Sequence, residues 1–127
     1  MNINIRGRLF DLSKPKVMGI LNLTPDSFYD GGVHNEINKI EDHVNKMVND
    51  GMDILDIGGY SSKPGAKDIS VDEELSRVIP ILKHIRKIFP ELVISIDTFR
   101  SKIASASLNE GADIINCLLY TSDAADD

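Results

Sequence analysis

The chain has 127 residues, enough for one domain with a hydrophobic core, and its net charge of −6 argues against a nucleic-acid surface, which needs a concentrated basic footprint. Its single cysteine, Cys117, excludes an internal disulfide and a zinc site built from cysteines. The longest apolar run, residues 17–23, is far shorter than the ~20 residues of a membrane-spanning helix, and the N-terminus lacks the apolar segment of a signal peptide. We therefore expect a cytoplasmic protein with no membrane or nucleic-acid partner.

The predicted elements begin with a hairpin and a buried strand. The segment "INIRGRLFDL" alternates like a short β-hairpin, with Gly7 as a candidate turn. The next segment, "KVMGILNL", is apolar on both faces, which is typical of a parallel strand that is covered on both sides.

Helices and strands then alternate. A helix is predicted over "NEINKIEDHVNKMVNDG", and Ser70 with Glu73 forms a capping box that opens a second helix, which Pro80 should kink or divide. "RSKIASASLNEG" is a third, short helix, and the remaining strands are "DILDIGG", "LVISID" and "ADIIN". Four strands alternating with three helices predict an α/β fold with a parallel sheet.

An internal echo supports this order of elements. "NDGMDILD" and "NEGADIIN" share Asn, Gly, Asp and Ile at matching places, so in each a helix ends on glycine and a strand follows at once. The echo also aligns Asp56 with Asn116.

Four polar residues stand at or near the C-terminal ends of the apolar strands: Asn22, Asp56, Asp97 and Asn116. In a βα barrel this end is the active-site face, where polar groups converge. A doubly wound open sheet also binds ligands there, so the pattern does not choose between the two folds. Each residue alone is equally consistent with capping a strand or starting a turn.

Two loop segments have the composition of a diphosphate site. In "NLTPDSFYDGG", Asn22 offers a carbonyl oxygen that Mg²⁺ accepts, although a lone neutral ligand suffices only if substrate phosphate oxygens supply most of the coordination. In "DIGGYSSKPGA", short donors including Ser62 and the charge of Lys63 suit a phosphate. The alternative for the second segment is a solvated surface turn, because it lacks the spacing of a P-loop.

Asp97 is a third candidate for ligand recognition. In "SIDTF" it follows apolar positions, so its carboxylate should be partly desolvated and must be hydrogen-bonded. A heterocycle with an N–H and an exocyclic amino group would satisfy it, and the alternative partner is the backbone of the next turn.

Taken together, "MGILNLTPDSFYDGG", "DILDIGGYSSKPGA", "SIDT" and "GADIIN" resemble the dihydropteroate synthase family over residues 4–116. The resemblance implies a (β/α)₈ TIM barrel that joins p-aminobenzoate to 6-hydroxymethyl-7,8-dihydropterin diphosphate with release of pyrophosphate. It also implies Mg²⁺ as cofactor and homodimers of the full-length enzyme, formed through helices of the second half.

The resemblance implies a role for eight residues of this sequence. Asn22 would bind Mg²⁺ with the diphosphate, and Ser62 and Lys63 would contact the diphosphate. Asp97, as the catalytic residue, would hold the pterin ring with Asn116, with Asp56 close behind. Phe28 and Pro64 would help to form the p-aminobenzoate pocket.

The sequence departs from the family pattern in two places within the motif. Tyr60 stands where an acidic or amide residue is usual, and Lys63 where arginine is usual. Lysine keeps the charge but loses bidentate geometry, so contacts to the diphosphate should be looser. Two other functions stay open: a non-catalytic pterin-binding half domain, and another pterin enzyme such as a corrinoid-linked methyltransferase.

The resemblance ends at Asn116. We expect an N-terminal hairpin over residues 1–14 and half of a barrel over residues 15–116. Residues 117–127 resemble the translation of a sequencing adapter, and the alternative is a divergent natural tail. Because half a barrel has two unpaired edges, we expect the 127-residue product alone to aggregate or be poorly ordered and to lack turnover.

Overall fold

The structure, a computed structural model, describes residues 2–5, 8–11, 15–23, 33–59 and 69–116. Its elements, in chain order, are β1 (Asn2–Ile5), β2 (Arg8–Asp11), β3 (Met18–Asn22), α1 (Val33–Asn49), β4 (Ile54–Gly58), α2 (Val71–Ile88), β5 (Val93–Asp97), α3 (Ser101–Asn109) and β6 (Ile114–Asn116). Strands β1 and β2 pair antiparallel, as the predicted hairpin requires.

The four later strands form a parallel sheet in the order β3-β4-β5-β6. Each strand pairs with the next along the chain, and a helix joins each pair. A doubly wound sheet reverses its strand order at a switch point, whereas a βα barrel keeps neighbours in chain order. The arrangement is therefore that of a partial TIM barrel, which confirms the predicted fold class.

The outer face of the sheet carries the main hydrophobic core, because side chains alternate between the two faces of each strand. The buried strand residues on this face are Leu21, Leu55, Ile57, Ile94 and Ile96. The helices cover them with buried side chains of their own: Ile40, Val44, Val78, Leu82, Ile85 and Ile103.

The hairpin contributes to a second, smaller cluster at the N-terminal end of the inner face. Ile5 packs there with Ile54 and Val93, and the partly buried Ile114 joins them. The inner face thus has an apolar layer at this end, and its polar side chains lie toward the C-terminal ends of the strands.

The helix ends follow the local sequence. Ser70 caps α2, since its Oγ accepts a hydrogen bond from Glu73 N at 3.1 Å. Gly51 and Gly111 follow α1 and α3 with φ of +103° and +112°, a backbone region that glycine enters without a steric penalty.

Pro80 does not divide α2, which runs unbroken from Val71 to Ile88. Pro80 is exposed, so the carbonyl of Ser76, which loses its usual N–H donor, lies on a helix face that water reaches. Among the described residues, no helix is long and apolar enough to cross a membrane.

Candidate active site

One row of residues crosses the C-terminal end of the sheet. The register pairs Asn22 with Gly58, Gly58 with Asp97, and Asp97 with Asn116. Because the strands are parallel and in register, all four residues belong to the inner face. A Cβ on Gly58 would lie 3.4 Å from the Cβ of Asp97, so this glycine leaves the space beside Asp97 open.

A second polar layer lies two residues earlier on the same face. Asp56 and Ser95 are opposite each other in the register, and Ser95 Oγ donates to Asp56 Oδ1 at 2.7 Å. Both residues are buried. Burial raises the pKa of Asp56, while hydrogen bonds from Ser95 and Asn116 lower it. Asp56 therefore links the second layer to Asn116 in the first.

Asp97 is half-buried and electrostatically perturbed. Burial, followed by the negative charges of Asp56 and Glu74, raises its pKa from the usual 3.8 to about 6. At neutral pH the carboxylate is ionised, but it lies close to its titration point. A ligand that donates hydrogen bonds and carries positive charge would stabilise this ionised form.

The structure brings four of the eight predicted site residues to one end of the sheet: Asn22, Asp56, Asp97 and Asn116. Asn22 is exposed and lies two strands from Asp97, a separation of about 10 Å at the usual strand spacing. The other four predicted residues lie outside the described part of the chain: Phe28, Ser62, Lys63 and Pro64. Tyr60, the departure from the family pattern, lies outside it too.

Comparison with protein families agrees with this geometry. Residues 18–126 match the family model described as pterin binding enzyme, which is most of the chain. The chain belongs to the pterin-binding enzymes. The match begins at the first residue of β3 and includes every strand and helix of the parallel sheet.

Individual pterin-binding enzymes are similar to this chain over most of its length. The dihydropteroate synthase of Escherichia coli K12 is 49% identical over 116 residues, which are 91% of this chain and 41% of that enzyme. A solved structure of the Xanthomonas albilineans dihydropteroate synthase with 4-aminobenzoic acid has a TM-score of 0.81 and 42% identity, and covers 91% of this chain and 42% of its own.

A third relative was solved with a pterin product. The Burkholderia cenocepacia dihydropteroate synthase complexed with 7,8-dihydropteroate has a TM-score of 0.73 and 36% identity, and covers 91% of this chain and 37% of its own. The chain thus spans about two fifths of the length of the pterin-binding enzymes that it matches.

Sequence reasoning missed two polar residues of the candidate site. Ser95 interrupts the apolar run of "LVISID", and that interruption was the available signal. Glu74 is fully buried beneath the end of β5, where Thr98 Oγ1 donates to its Oε2 at 2.8 Å and Arg100 Nη1 lies 3.2 Å from its Oε1. In the sequence, Glu74 is one of three acidic residues in the first turn of a helix, a pattern typical of an exposed surface.

The donor set of the candidate site suits a metal only in part. Within the described ranges, no group of three or more His, Cys, Asp or Glu side chains is arranged to hold a metal ion. The exposed amide of Asn22 offers a single oxygen ligand. These residues fit a cation that takes most of its ligands from a phosphorylated substrate and from water.

Proposed function

We propose that this chain supplies the N-terminal half of the barrel of a dihydropteroate synthase, an enzyme of class EC 2.5.1.15. The enzyme condenses p-aminobenzoate with 6-hydroxymethyl-7,8-dihydropterin diphosphate to give 7,8-dihydropteroate and pyrophosphate. The observation that carries the proposal is the in-register row in which the half-buried Asp97 lies beside Asn116, above Asp56. The 49% identity to the Escherichia coli enzyme supports it.

Pterin recognition is assigned to Asp97 and Asn116. The edge of a pterin ring presents an N–H and an exocyclic amino group, which match the two oxygens of an ionised carboxylate. Asn116 offers both a donor and an acceptor, and its contact with Asp56 orients its amide. The two side chains therefore fix the ring in one orientation at the end of β5 and β6.

Diphosphate binding is assigned to the other side of the row. Asn22, with Ser62 and Lys63 on the loop that follows β4, would contact the diphosphate oxygens. Bound Mg²⁺, held by Asn22 together with those oxygens, would neutralise the charge that develops on the leaving group. Gly58, between Asn22 and Asp97, has no side chain to fill the space in which the substrate methylene group would lie.

The reaction exchanges a C–O bond for a C–N bond. The bond between the pterin methylene carbon and the diphosphate oxygen breaks, and pyrophosphate leaves with both electrons. After pyrophosphate has left, the methylene carbon attached to the electron-rich pterin carries a positive charge. The ionised Asp97 stabilises this charge electrostatically. The arylamine nitrogen of p-aminobenzoate, in a pocket formed with Phe28 and Pro64, forms the new bond and releases one proton to solvent.

A chimera tests the proposed function. Residues 1–116 are joined to the Escherichia coli enzyme from the residue aligned with Cys117 onward, and this protein is called the completed barrel below. We expect it to form one pyrophosphate per 7,8-dihydropteroate from p-aminobenzoate and the pterin diphosphate. A completed barrel that folds but neither binds 6-hydroxymethyl-7,8-dihydropterin nor forms product would contradict the proposal.

The domain organisation is part of the same proposal. We assign residues 1–14 to an N-terminal hairpin and residues 15–116 to the partial barrel, and we propose that residues 117–127 are not part of the native protein. The family model extends to residue 126 and therefore includes most of this tail, so the assignment of residues 117–127 is tested separately. Genomic DNA read past codon 116 is expected to depart from "CLLYTSDAADD" and to continue into further βα units. Independent reads that reproduce this tail and a stop would support a natural half domain instead.

A further inference from the structure

The buried carboxylate of Glu74 is assigned no contact with substrate, although it lies behind the candidate site and its charge raises the pKa of Asp97. Its side chain is fully buried, and both oxygens are engaged, one by Thr98 Oγ1 at 2.8 Å and the other by Arg100 Nη1 at 3.2 Å. A buried carboxylate needs such partners, because an unpaired charge in the core is strongly destabilising. Glu74, Thr98 and Arg100 are called the Glu74 network below.

The Glu74 network is bonded to the residue that follows Asp97. Thr98 is buried, and its N–H donates to the carbonyl oxygen of Asn116 at 3.1 Å. Its hydroxyl donates to Glu74 on α2. Thr98 is thus held to β6 by its backbone and to α2 by its side chain, and this pair of bonds fixes the end of β5 where Asp97 stands.

Arg100 extends the Glu74 network to the loop between β4 and α2. Its Nη2 donates to the carbonyl oxygen of Ile69 at 2.6 Å, and its Nη1 bonds to Glu74. At the other end of this loop, Arg77 Nη1 on α2 donates to the carbonyl oxygen of Gly59 at 3.0 Å. Both described carbonyls that flank residues 60–68 therefore accept a hydrogen bond from an arginine.

A comparable buried ion pair lies at the opposite end of the sheet. Arg86 Nη2 lies 2.8 Å from Asp113 Oδ2, and the Asp113 side chain is only 3% exposed. Asp113 also accepts a hydrogen bond from Ile94 N at 3.0 Å. Asp113 is a buried, paired carboxylate like Glu74, but its backbone partner is at the N-terminal end of β5. A variant at Asp113 therefore serves as a control that separates a general loss of stability from an effect on the site.

Building on the proposed function, we propose that the Glu74 network is a positioning device for pterin recognition. It holds the end of β5 so that the carboxylate of Asp97 and the amide of Asn116 keep the spacing that the pterin ring requires. Its three members are positioning residues, since none of them is assigned a contact with substrate. A displacement of about 1 Å at such a site is enough to weaken productive binding many-fold.

Two pairs of matched variants in the completed barrel test this proposal. Thr98→Val removes the hydroxyl at nearly constant shape, whereas Thr98→Ser keeps it. Glu74→Gln and Asp113→Asn make the same chemical change at opposite ends of the sheet. The dissociation constant of 6-hydroxymethyl-7,8-dihydropterin is measured by calorimetry, and the KM of the pterin diphosphate is measured beside that of p-aminobenzoate.

We expect Thr98→Val and Glu74→Gln to weaken pterin binding and raise the KM of the pterin diphosphate about tenfold, with less change in the KM of p-aminobenzoate. Thr98→Ser and Asp113→Asn should stay within about twofold of the unchanged completed barrel. Normal pterin binding by Thr98→Val and Glu74→Gln, or equal weakening by Asp113→Asn, would overturn the proposal. An unchanged completed barrel that neither binds the pterin nor makes product would contradict the proposed function itself.

Discussion

Asp97 carries a polar carboxylate in partly apolar surroundings. It is half-buried and lies near two other carboxylates, those of Asp56 and Glu74, and both conditions disfavour its ionised form. In the folded protein without ligand, ionisation of Asp97 therefore costs more free energy than it does in water. A ligand that donates hydrogen bonds to Asp97 recovers this free energy, so the perturbed carboxylate increases the selectivity of the site for such ligands.

The first prediction concerns pH and Asp97. Its folded pKa of about 6 lies above the 3.8 of the unfolded chain, so the folded state binds more protons between these values. The contribution of Asp97 to the free energy of unfolding should therefore fall as the pH rises from 3.8 to about 6. In the substrate-free completed barrel, Asp97→Asn should raise the free energy of unfolding at pH 8 by roughly 1 kcal/mol, after allowance for partial exposure, and change it little at pH 4, as measured by thermal unfolding. Equal shifts at both pH values would contradict this.

The two buried serines provide a second prediction. Ser95 Oγ donates to the buried Asp56, whereas Ser107 Oγ has no hydrogen-bond partner within the part of the chain that the structure describes. Ser95→Ala should cost about 1–3 kcal/mol, because it leaves a buried carboxylate short of a donor. Ser107→Ala should be neutral or stabilising, and thermal unfolding of both variants measures the contrast. If Ser107→Ala lost as much stability as Ser95→Ala, the stabilising role given to the hydrogen bond from Ser95 to Asp56 would be contradicted.

At the scale of the elements, glycine ends two helices with different surroundings. Gly51 and Gly111 both have positive φ, but a Cβ at Gly51 would meet nothing within 4 Å, whereas one at Gly111 would lie 3.0 Å from Arg86 Cγ. Arg86 also donates to the carbonyl oxygen of Gly111. The same helix-end signal in the sequence therefore has two structural contexts.

A third prediction follows from these two glycines. Gly51→Ala should cost about 1 kcal/mol from backbone conformation alone, while Gly111→Ala should cost ~2 kcal/mol or more because Arg86 must also move. Thermal unfolding of the two variants in the completed barrel measures the difference. Equal losses of stability would show that the contact with Arg86 adds nothing.

The elements were more predictable than the partners inside the site. Apolar runs that end in Asn22, Asp97 and Asn116 identify strands, and Gly51 and Gly111 identify helix ends, because both signals are local. Because the strands are parallel, their polar C-terminal ends lie at the same edge of the sheet. The burial of Glu74 was not predictable, because it depends on Thr98 and Arg100, which are 24 and 26 residues away in the chain. Nor does helical periodicity indicate that α2 tolerates Pro80.

At the scale of the molecule, the described sheet has two open edges. Within the described residues, β3 and β6 each pair with one strand. Val17, just before β3, is 58% exposed, and Met18 and Ile20 in β3 are 43% and 59% exposed. An apolar strand with an unpaired edge is a template for association with another chain. The Escherichia coli relative is more than twice as long as this chain.

The fourth prediction concerns the 127-residue chain expressed alone. We expect it to self-associate or to be poorly ordered, and to lack pteroate synthesis, because the apolar inner face at β3 is exposed and the chain spans only about two fifths of the length of its relatives. Size-exclusion chromatography with light scattering, together with a product assay, measures both properties. A monodisperse monomer that makes 7,8-dihydropteroate would contradict the prediction.

The central claim is that the carboxylate of Asp97 acts on the pterin substrate, and the turnover of Asp97→Asn in the completed barrel tests it most directly. Asp53→Asn is the matched control, since Asp53 Oδ2 accepts a hydrogen bond from Val17 N at 2.8 Å at the opposite end of the sheet. We expect Asp97→Asn to lower kcat/KM at least about a hundredfold in a folded protein, and Asp53→Asn to keep activity within a few-fold. Near-normal turnover by Asp97→Asn would contradict the account.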